Sequence, residues 1–217
     1  MRPLFLMMRT FIYVDGFNLY NRSLKKTPYK WLDLLALSKM LLDPKEHDIK
    51  TIKYYTASVS GLDDPQRPIR QQTYIRALKK HIPSFRVHYG TFQTHIETRK
   101  IACPVFKDLL KYRWVKVHNT KEKGTDVNLA VQLVNDAWRG IYDCAVILSN
   151  DSDLAGAIKI AREKRKLIGW FIPHNCDPST DLNDLVNFRK QIRPSVLAAC
   201  QLPNPIPSSN IRKPDSW

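Results

Sequence analysis

Short apolar runs and helical spacings of apolar residues alternate along the chain, and each predicts a different element. Continuous runs rich in β-branched residues are typical of strands buried on both faces of a sheet. They predict strands at residues 11–14, 49–57, 85–92, 144–148 and 167–172. Apolar positions three and four residues apart predict helices from residue 19, at 31–42, at 69–81, up to 138, at 154–164 and at 181–188. This alternation favours an α/β fold with a mostly parallel sheet covered on both faces.

Two segments do not follow this alternation. Basic and aromatic residues interleave in residues 94–118, which we expect to form an excursion with a short helix or a hairpin. Its cations and rings would either bind phosphates and stack on bases or form a solvated strand pair with Tyr112 and Trp114 packed inward. An edge element is expected as far as residue 199. We expect an N-terminal extension at 1–9, one domain at 10–200, and a Pro- and Ser-containing tail at 201–217.

The charge balance points to an anionic partner. The 217 residues carry a formal net charge of +15, for which nucleic acid is the first candidate and a solvated basic surface the alternative. The four cysteines are scattered, without a C-x-x-C pair, as in reduced cytoplasmic proteins. The apolar run at residues 4–8 is too short for a signal peptide or a membrane span. Dinucleotide-binding, P-loop and serine hydrolase motifs are absent from the sequence.

Four acids follow predicted strand ends or begin a predicted helix. Asp15 follows the first strand, Asp126 begins the helix that ends at 138, and Asp151 and Asp153 follow the strand at 144–148. Ligands of open α/β sheets bind at the carboxyl ends of strands, where right-handed crossovers bring such residues together. Clustered carboxylates suit Mg²⁺ or Mn²⁺. Helix capping is the simpler explanation of either later motif taken alone, and Asp15, an acid near the N-terminus, shifts the balance toward a metal site.

Four motifs together resemble the NYN family of PIN-like nucleases, a group also called LabA-like. They are YVDGFNLY at 13–20, YTA at 55–57, KGTDVNLA at 123–130 and SNDSD at 149–153. The resemblance covers about residues 10 to 190 and implies a Rossmann-like, three-layer α/β/α fold. It also implies metal-dependent RNA cleavage by Asp15, Asp126, Asp151 and Asp153. Many family members have Gly where this chain has Asn150, which also tolerates left-handed backbone.

The resulting prediction is a metal-dependent endoribonuclease. Asp15 and Asp151 would be the principal ligands of Mg²⁺ or Mn²⁺, and Asp126 and Asp153 would complete the shell or orient the nucleophile. Asn18 would hold a metal-bound water or the scissile phosphate, or else cap a helix. The residues predicted to contact RNA are Arg99, Lys100, Arg113, Lys121 and Lys123.

Other functional classes remain open on the sequence alone. One alternative is an RNA-binding or regulatory protein that keeps the fold and the acids without cleaving RNA. A phosphatase of the haloacid-dehalogenase type would need a second Asp two residues after Asp15, where this chain has Phe17. The RNA substrate, the cleavage position, the choice between Mg²⁺ and Mn²⁺, and the oligomeric state, with a homodimer among the options, stay open.

Overall fold

The fold is built around one β-sheet. The computed structural model describes residues 7–61, 64–101 and 114–217, without the side chains of 92–94 and 118–122. Within these residues seven strands pair in the order β4-β3-β2-β1-β5-β6-β7. They are β1 (Met8–Asp15), β2 (His47–Ala57), β3 (Phe85–Lys100), β4 (Trp114–Lys123), β5 (Cys144–Leu148), β6 (Leu167–Ile172) and β7 (Phe188–Gln191). All neighbours run parallel except β3 and β4, so the predicted α/β class is confirmed.

Helices cover both faces of the sheet. They are α1 (Gly16–Leu19), which continues into a π-helix (Tyr20–Leu24), α2 (Leu34–Leu41), α3 (Gln66–His81), α4 (Thr125–Trp138), a 3₁₀-helix (Ser152–Leu154), α5 (Ala155–Glu163), α6 (Thr180–Asn183) and α7 (Pro194–Ala199). One buried cluster joins α2, α3 and α7 to the sheet, and a second joins α4 and α5 to it. The molecule therefore has three layers. No helix in the described ranges is long and apolar enough to cross a membrane.

The strands β5 and β6 have the predicted limits because their pattern is unambiguous, whereas β1 extends beyond the predicted 11–14 at both ends. Every residue of β5 is buried, and β5 and β6 span the ranges predicted for them. β5 lies beside β1, with Val14 opposite Leu148. The expected adjacency of these two strands is confirmed.

Capping residues move the predicted limits of several helices. The helix expected at 31–42 begins at Leu34, because the Asp33 side chain accepts hydrogen bonds from the backbone N–H groups of the next turn. Likewise, the first helix begins at Gly16 and not at Leu19, because Asp15 caps it. The helix expected at 181–188 ends at Asn183, and Phe188 instead begins the strand β7.

The segment expected as an excursion extends the sheet. β3 continues to Lys100 and pairs with β4 in antiparallel register, from Thr91 opposite Lys123 to Lys100 opposite Trp114. The hairpin alternative is therefore favoured for the strand arms, while Tyr112 lies outside the described residues. Trp114 is 57% exposed, so the alternative in which it packs inward is not observed.

Residues 201–217 pack against the domain, in contrast to the tail expected from their composition. Leu202 and Ile206 are buried in the cluster with α2, α3 and α7. The ring of Trp217 lies 5.5 Å from that of Tyr74 and 6.2 Å from that of Trp31. A few large apolar side chains thus anchor a segment whose prolines and serines are typical of disorder.

Candidate active site

The carboxyl ends of β1 and β5 lie at the floor of an open cleft. Because Val14 and Leu148 are paired, the next residues lie side by side, with Asp15 at the last position of β1 and Ser149 directly after β5. The side chains around the cleft are acidic, amide, basic and aromatic. They belong to Asp15, Phe17, Asn18, Asn21, Arg22, Arg67, Asp126 and Asp151. The structure thus brings three of the four predicted acids into one cleft.

Asp15 is the buried acid of the cleft, with a side chain only 5% exposed. Its Oδ1 accepts a hydrogen bond from the backbone N–H of Asn18 at 2.9 Å, and its Oδ2 accepts one from the Ser149 hydroxyl at 3.0 Å. The pKa of Asp15 is raised to about 6, chiefly by burial and also by the charges of Asp126 and Asp151, while the two hydrogen bonds act in the opposite direction. A carboxylate in this environment is stabilised by a nearby cation.

Asp126 reaches the cleft from the first turn of α4. The preceding Gly124 has φ of +92°, a left-handed conformation that glycine adopts at little cost and that turns the chain from β4 into α4. The Asp126 side chain is half-buried. Its pKa is raised by burial first, and then by the charges of Asp151 and Asp153. Asp126 therefore experiences the same repulsion between acids as Asp15.

The turn after β5 holds Asp151 and Asp153. Asp151 caps the 3₁₀-helix, with its Oδ1 accepting from the backbone N–H of Asp153 at 3.0 Å. The Ser149 hydroxyl accepts from the backbone N–H of Asp151 at 3.2 Å while it donates to Asp15. One hydroxyl thus links the two acids. Asp153 is exposed and is absent from the described lining of the cleft, so it lies outside the inner set.

Asn18 links the segment after β1 to the turn after β5 through a hydrogen bond. Its side-chain oxygen accepts from the backbone N–H of Asn150 at 3.2 Å, whereas the cap of α1 is Asp15. The Asn150 amide in turn donates to the carbonyl of Asp177 and accepts from the backbone N–H of Ser179. Within the described chain, the non-glycine residues with positive φ are Arg165, Asn175 and Ser208. The turn at Asn150 therefore does not use the left-handed conformation anticipated for it.

Two arginines in the cleft were missed by the sequence analysis. Arg22 lies four residues after Asn18 on the same helical segment, a spacing that puts two side chains on one face and could have revealed it. Arg67 comes from the start of α3, and nothing in its local sequence indicated that it would reach the acids. Arg22 also lines an adjoining pocket with Lys26 and His174, so basic groups continue outward from the cleft.

The described residues among those predicted to contact RNA lie outside this cleft. Arg99 and Lys100 are exposed at the end of β3, where Arg99 forms an ion pair with Glu97 at 2.8 Å. Lys123 is exposed at the end of β4. Lys121 is paired opposite Gln93 through the backbone, and Arg113 lies outside the described residues. Arg99, Lys100, Lys121 and Lys123 belong to β3 and β4, and none of the side chains described for these four lines the cleft.

The side chains of the cleft suit a Mg²⁺ or Mn²⁺ ion that keeps several waters better than an ion enclosed entirely by protein ligands. In the part of the chain that the structure describes, no group of three or more His, Cys, Asp or Glu residues is arranged to hold a metal ion. Mg²⁺ commonly binds through one or two carboxylates and keeps several waters. Asp15 and Asp151 supply hard oxygen ligands, and the raised pKa of Asp15 reflects burial and uncompensated negative charge. These two residues would hold such an ion.

Comparisons with known proteins identify the family. The chain is 33% identical over 237 residues to 6-hydroxy-3-succinoylpyridine 3-monooxygenase HspA from Pseudomonas putida, across 97% of this chain and 75% of that protein. A crystal structure of a protein of unknown function from Vibrio parahaemolyticus is similar in fold, with a TM-score of 0.51, 15% identity, and coverage of 86% of this chain and 94% of that one. The NYN domain model matches residues 9–188. The chain therefore belongs to the NYN domain family of the PIN-like superfamily, which indicates a nuclease-like function.

Proposed function

We propose that this protein is a ribonuclease that cleaves RNA internally and depends on Mg²⁺ or Mn²⁺. The observation that supports the proposal is the cleft in which Asp15, Asp126 and Asp151 meet Arg22 and Arg67. Acids alone would repel a phosphodiester, and arginines alone would only bind it. Their combination suits a site that binds both a metal ion and an anionic backbone. We further propose that RNA is the partner and the cytoplasm the location.

In this proposal the arginines of the cleft bind the substrate and the acids carry out the chemistry. Arg22 and Arg67 bind phosphate oxygens, for which the guanidinium group has matching geometry. Asp15 and Asp151 would hold the metal ion, which when bound lowers the pKa of water and stabilises charge on the phosphate. The half-buried Asp126, whose pKa is raised, accepts a proton from the attacking water or orients it. Asp153, at the rim, adds negative charge to this region.

A cleavage assay on matched variants tests the proposal. A fluorescent RNA is incubated with wild type, Asp15→Asn or Asp151→Asn, in EDTA and in Mn²⁺. We expect wild type to cleave RNA only with metal, and Asp15→Asn and Asp151→Asn to cleave it more slowly by roughly a hundredfold or more. Asp181→Asn is the control, because Asp181 is an exposed acid on α6 outside the cleft. This variant should cleave RNA as wild type does. RNA binding without cleavage by wild type would favour the regulatory protein instead.

The relative HspA supplies a second candidate from a different class of enzyme. The match to it covers nearly all of this chain, and its name describes a monooxygenase acting on a substituted pyridine. The test is oxygen consumption by the wild-type protein supplied with 6-hydroxy-3-succinoylpyridine and a reductant. Substrate-dependent consumption, together with no cleavage of RNA, would replace the ribonuclease proposal.

A further inference from the structure

A second pocket opens beside the acid cleft and has aromatic walls. The two share the lining residues Phe17, Asn21 and Arg67, so they meet along a common border. The rings around this pocket are those of Phe17, Tyr20, Tyr54, Tyr74 and Trp217. It leaves about 70 Å³ for the centres of water-sized atoms, several times the roughly 10–15 Å³ that one water requires. A pocket of this volume, with aromatic walls, suits a planar ring.

The walls of the pocket are fixed by the fold. Tyr54 packs so closely on Gly16 that a Cβ at position 16 would stand 2.5 Å from its ring, which explains the glycine directly after Asp15. The Tyr74 hydroxyl donates to the carbonyl of Leu32 at 2.8 Å. Trp217 packs on Tyr74. A ligand would therefore find these rings already in position, at little entropic cost.

Several polar groups around the pocket are already engaged. The Gln71 amide donates to Thr56 and to the carbonyl of Ala57, and accepts from the backbone N–H of Val59. Arg70 pairs with Asp64. Arg67 is exposed and takes part in none of the ion pairs found among the described residues. A cation thus stands at the border between the aromatic walls and the acids.

We propose that this pocket takes the base of the nucleotide next to the phosphate under attack, with that nucleotide's phosphate at Arg67. The inference rests on the proposed ribonuclease function. A ring and an anion carried by one ligand match aromatic walls that end at a guanidinium group. Aromatic side chains stack on any base, and the amide of Gln71 is held by hydrogen bonds within the protein. The pocket therefore positions the strand with weak sequence preference.

Binding of a single nucleotide tests the pocket apart from catalysis. Titrations in EDTA compare uridine 5′-monophosphate, uridine, ribose 5-phosphate and nicotinate by calorimetry. We expect the monophosphate to bind more tightly than any of the other three. Trp217→Ala removes one wall, and Val59→Phe fills the pocket from its loop, so each should weaken monophosphate binding by about tenfold or more. The control is Trp138→Ala, because Trp138 is an exposed ring at the end of α4.

Several outcomes separate this inference from the function on which it rests. Unchanged monophosphate affinity in both folded pocket variants would overturn it, as would nicotinate binding more tightly than the monophosphate. Metal-dependent RNA cleavage with an unchanged KM in both pocket variants would also overturn it, while leaving the ribonuclease proposal intact. A KM raised about tenfold in both variants, with normal kcat and a normal Trp138→Ala control, is the result that we expect.

Discussion

Replacing Asp15 by Asn should stabilise the metal-free protein at neutral pH, although Asp15 caps α1. The carboxylate is buried and lies near two other acids. Asn keeps the size and an oxygen able to accept from the backbone N–H of Asn18. Its amide group can also donate to the Ser149 hydroxyl. The substitution therefore removes a repelled charge while preserving the local geometry.

The expected magnitude follows from the pKa of Asp15. That pKa rises from an ordinary value of 3.8 to about 6 in the folded protein, a difference of about two pH units at ~1.4 kcal/mol each, or roughly 3 kcal/mol. For an acid whose folded pKa is raised, stability is fully present below pH 3.8, falls as the pH rises to about 6, and then stays low. Asn has no such pH dependence. The variant should melt up to about 6–12 °C above wild type at pH 8, less any loss from weaker hydrogen bonds.

Melting curves in EDTA from pH 4 to pH 8 are the assay, with Asp181→Asn as the control. The melting difference between Asp15→Asn and wild type should be small at pH 4 and grow up to pH 7. Adding Mn²⁺ at pH 8 should raise the melting temperature of wild type but not that of the variant. A variant that melts below wild type at pH 8 in EDTA would refute this reasoning, and would show that Asp15 acts mainly as a helix cap.

Three further predictions concern the cleft and its walls. Asp151→Asn should lower the rate of RNA cleavage roughly a hundredfold or more, since losing the ion costs several kcal/mol of barrier; single-turnover rates in Mn²⁺ measure it. Arg67→Gln should reduce the slope of log affinity against log salt for single-stranded RNA by about 0.7; filter binding of both Arg67→Gln and Arg99→Gln compares the two basic regions. Gly16→Ala should cost about 1–3 kcal/mol of stability because its Cβ would overlap a tyrosine ring; urea unfolding measures it.

The elements that the sequence predicted well are those with one dominant physical signal. In β5 and β6 nearly every residue is buried, so burial alone set their limits. The start of α2 depended instead on the Asp33 side chain. The hydrophobic spacing continues through Trp31 and Leu32, which are buried outside the helix. Periodicity reports burial, whereas helix limits depend on hydrogen bonds that it does not detect.

Long-range contacts explain what the sequence could not predict about the site. The approach of Asp15, Asp126 and Asp151 was predictable from strand order, because each is next to a recognisable element. Arg67 reaches the cleft only through the placement of α3 on the sheet, and Trp217 reaches the neighbouring pocket only through the packing of residues 201–217. No local pattern encodes either approach. The neighbouring pocket could therefore not be predicted from the sequence.

Capping and metal binding, which competed as explanations of the acids, are compatible in this geometry. Asp151 uses its Oδ1 to cap the 3₁₀-helix, and no hydrogen bond among the described residues reaches its Oδ2. A cap fixes the position of a carboxylate and leaves its second oxygen for a ligand. Ser149 adds to this arrangement by linking Asp151 to Asp15. The turn that ends β5 therefore positions both acids before any ion arrives, which lowers the entropic cost of binding one.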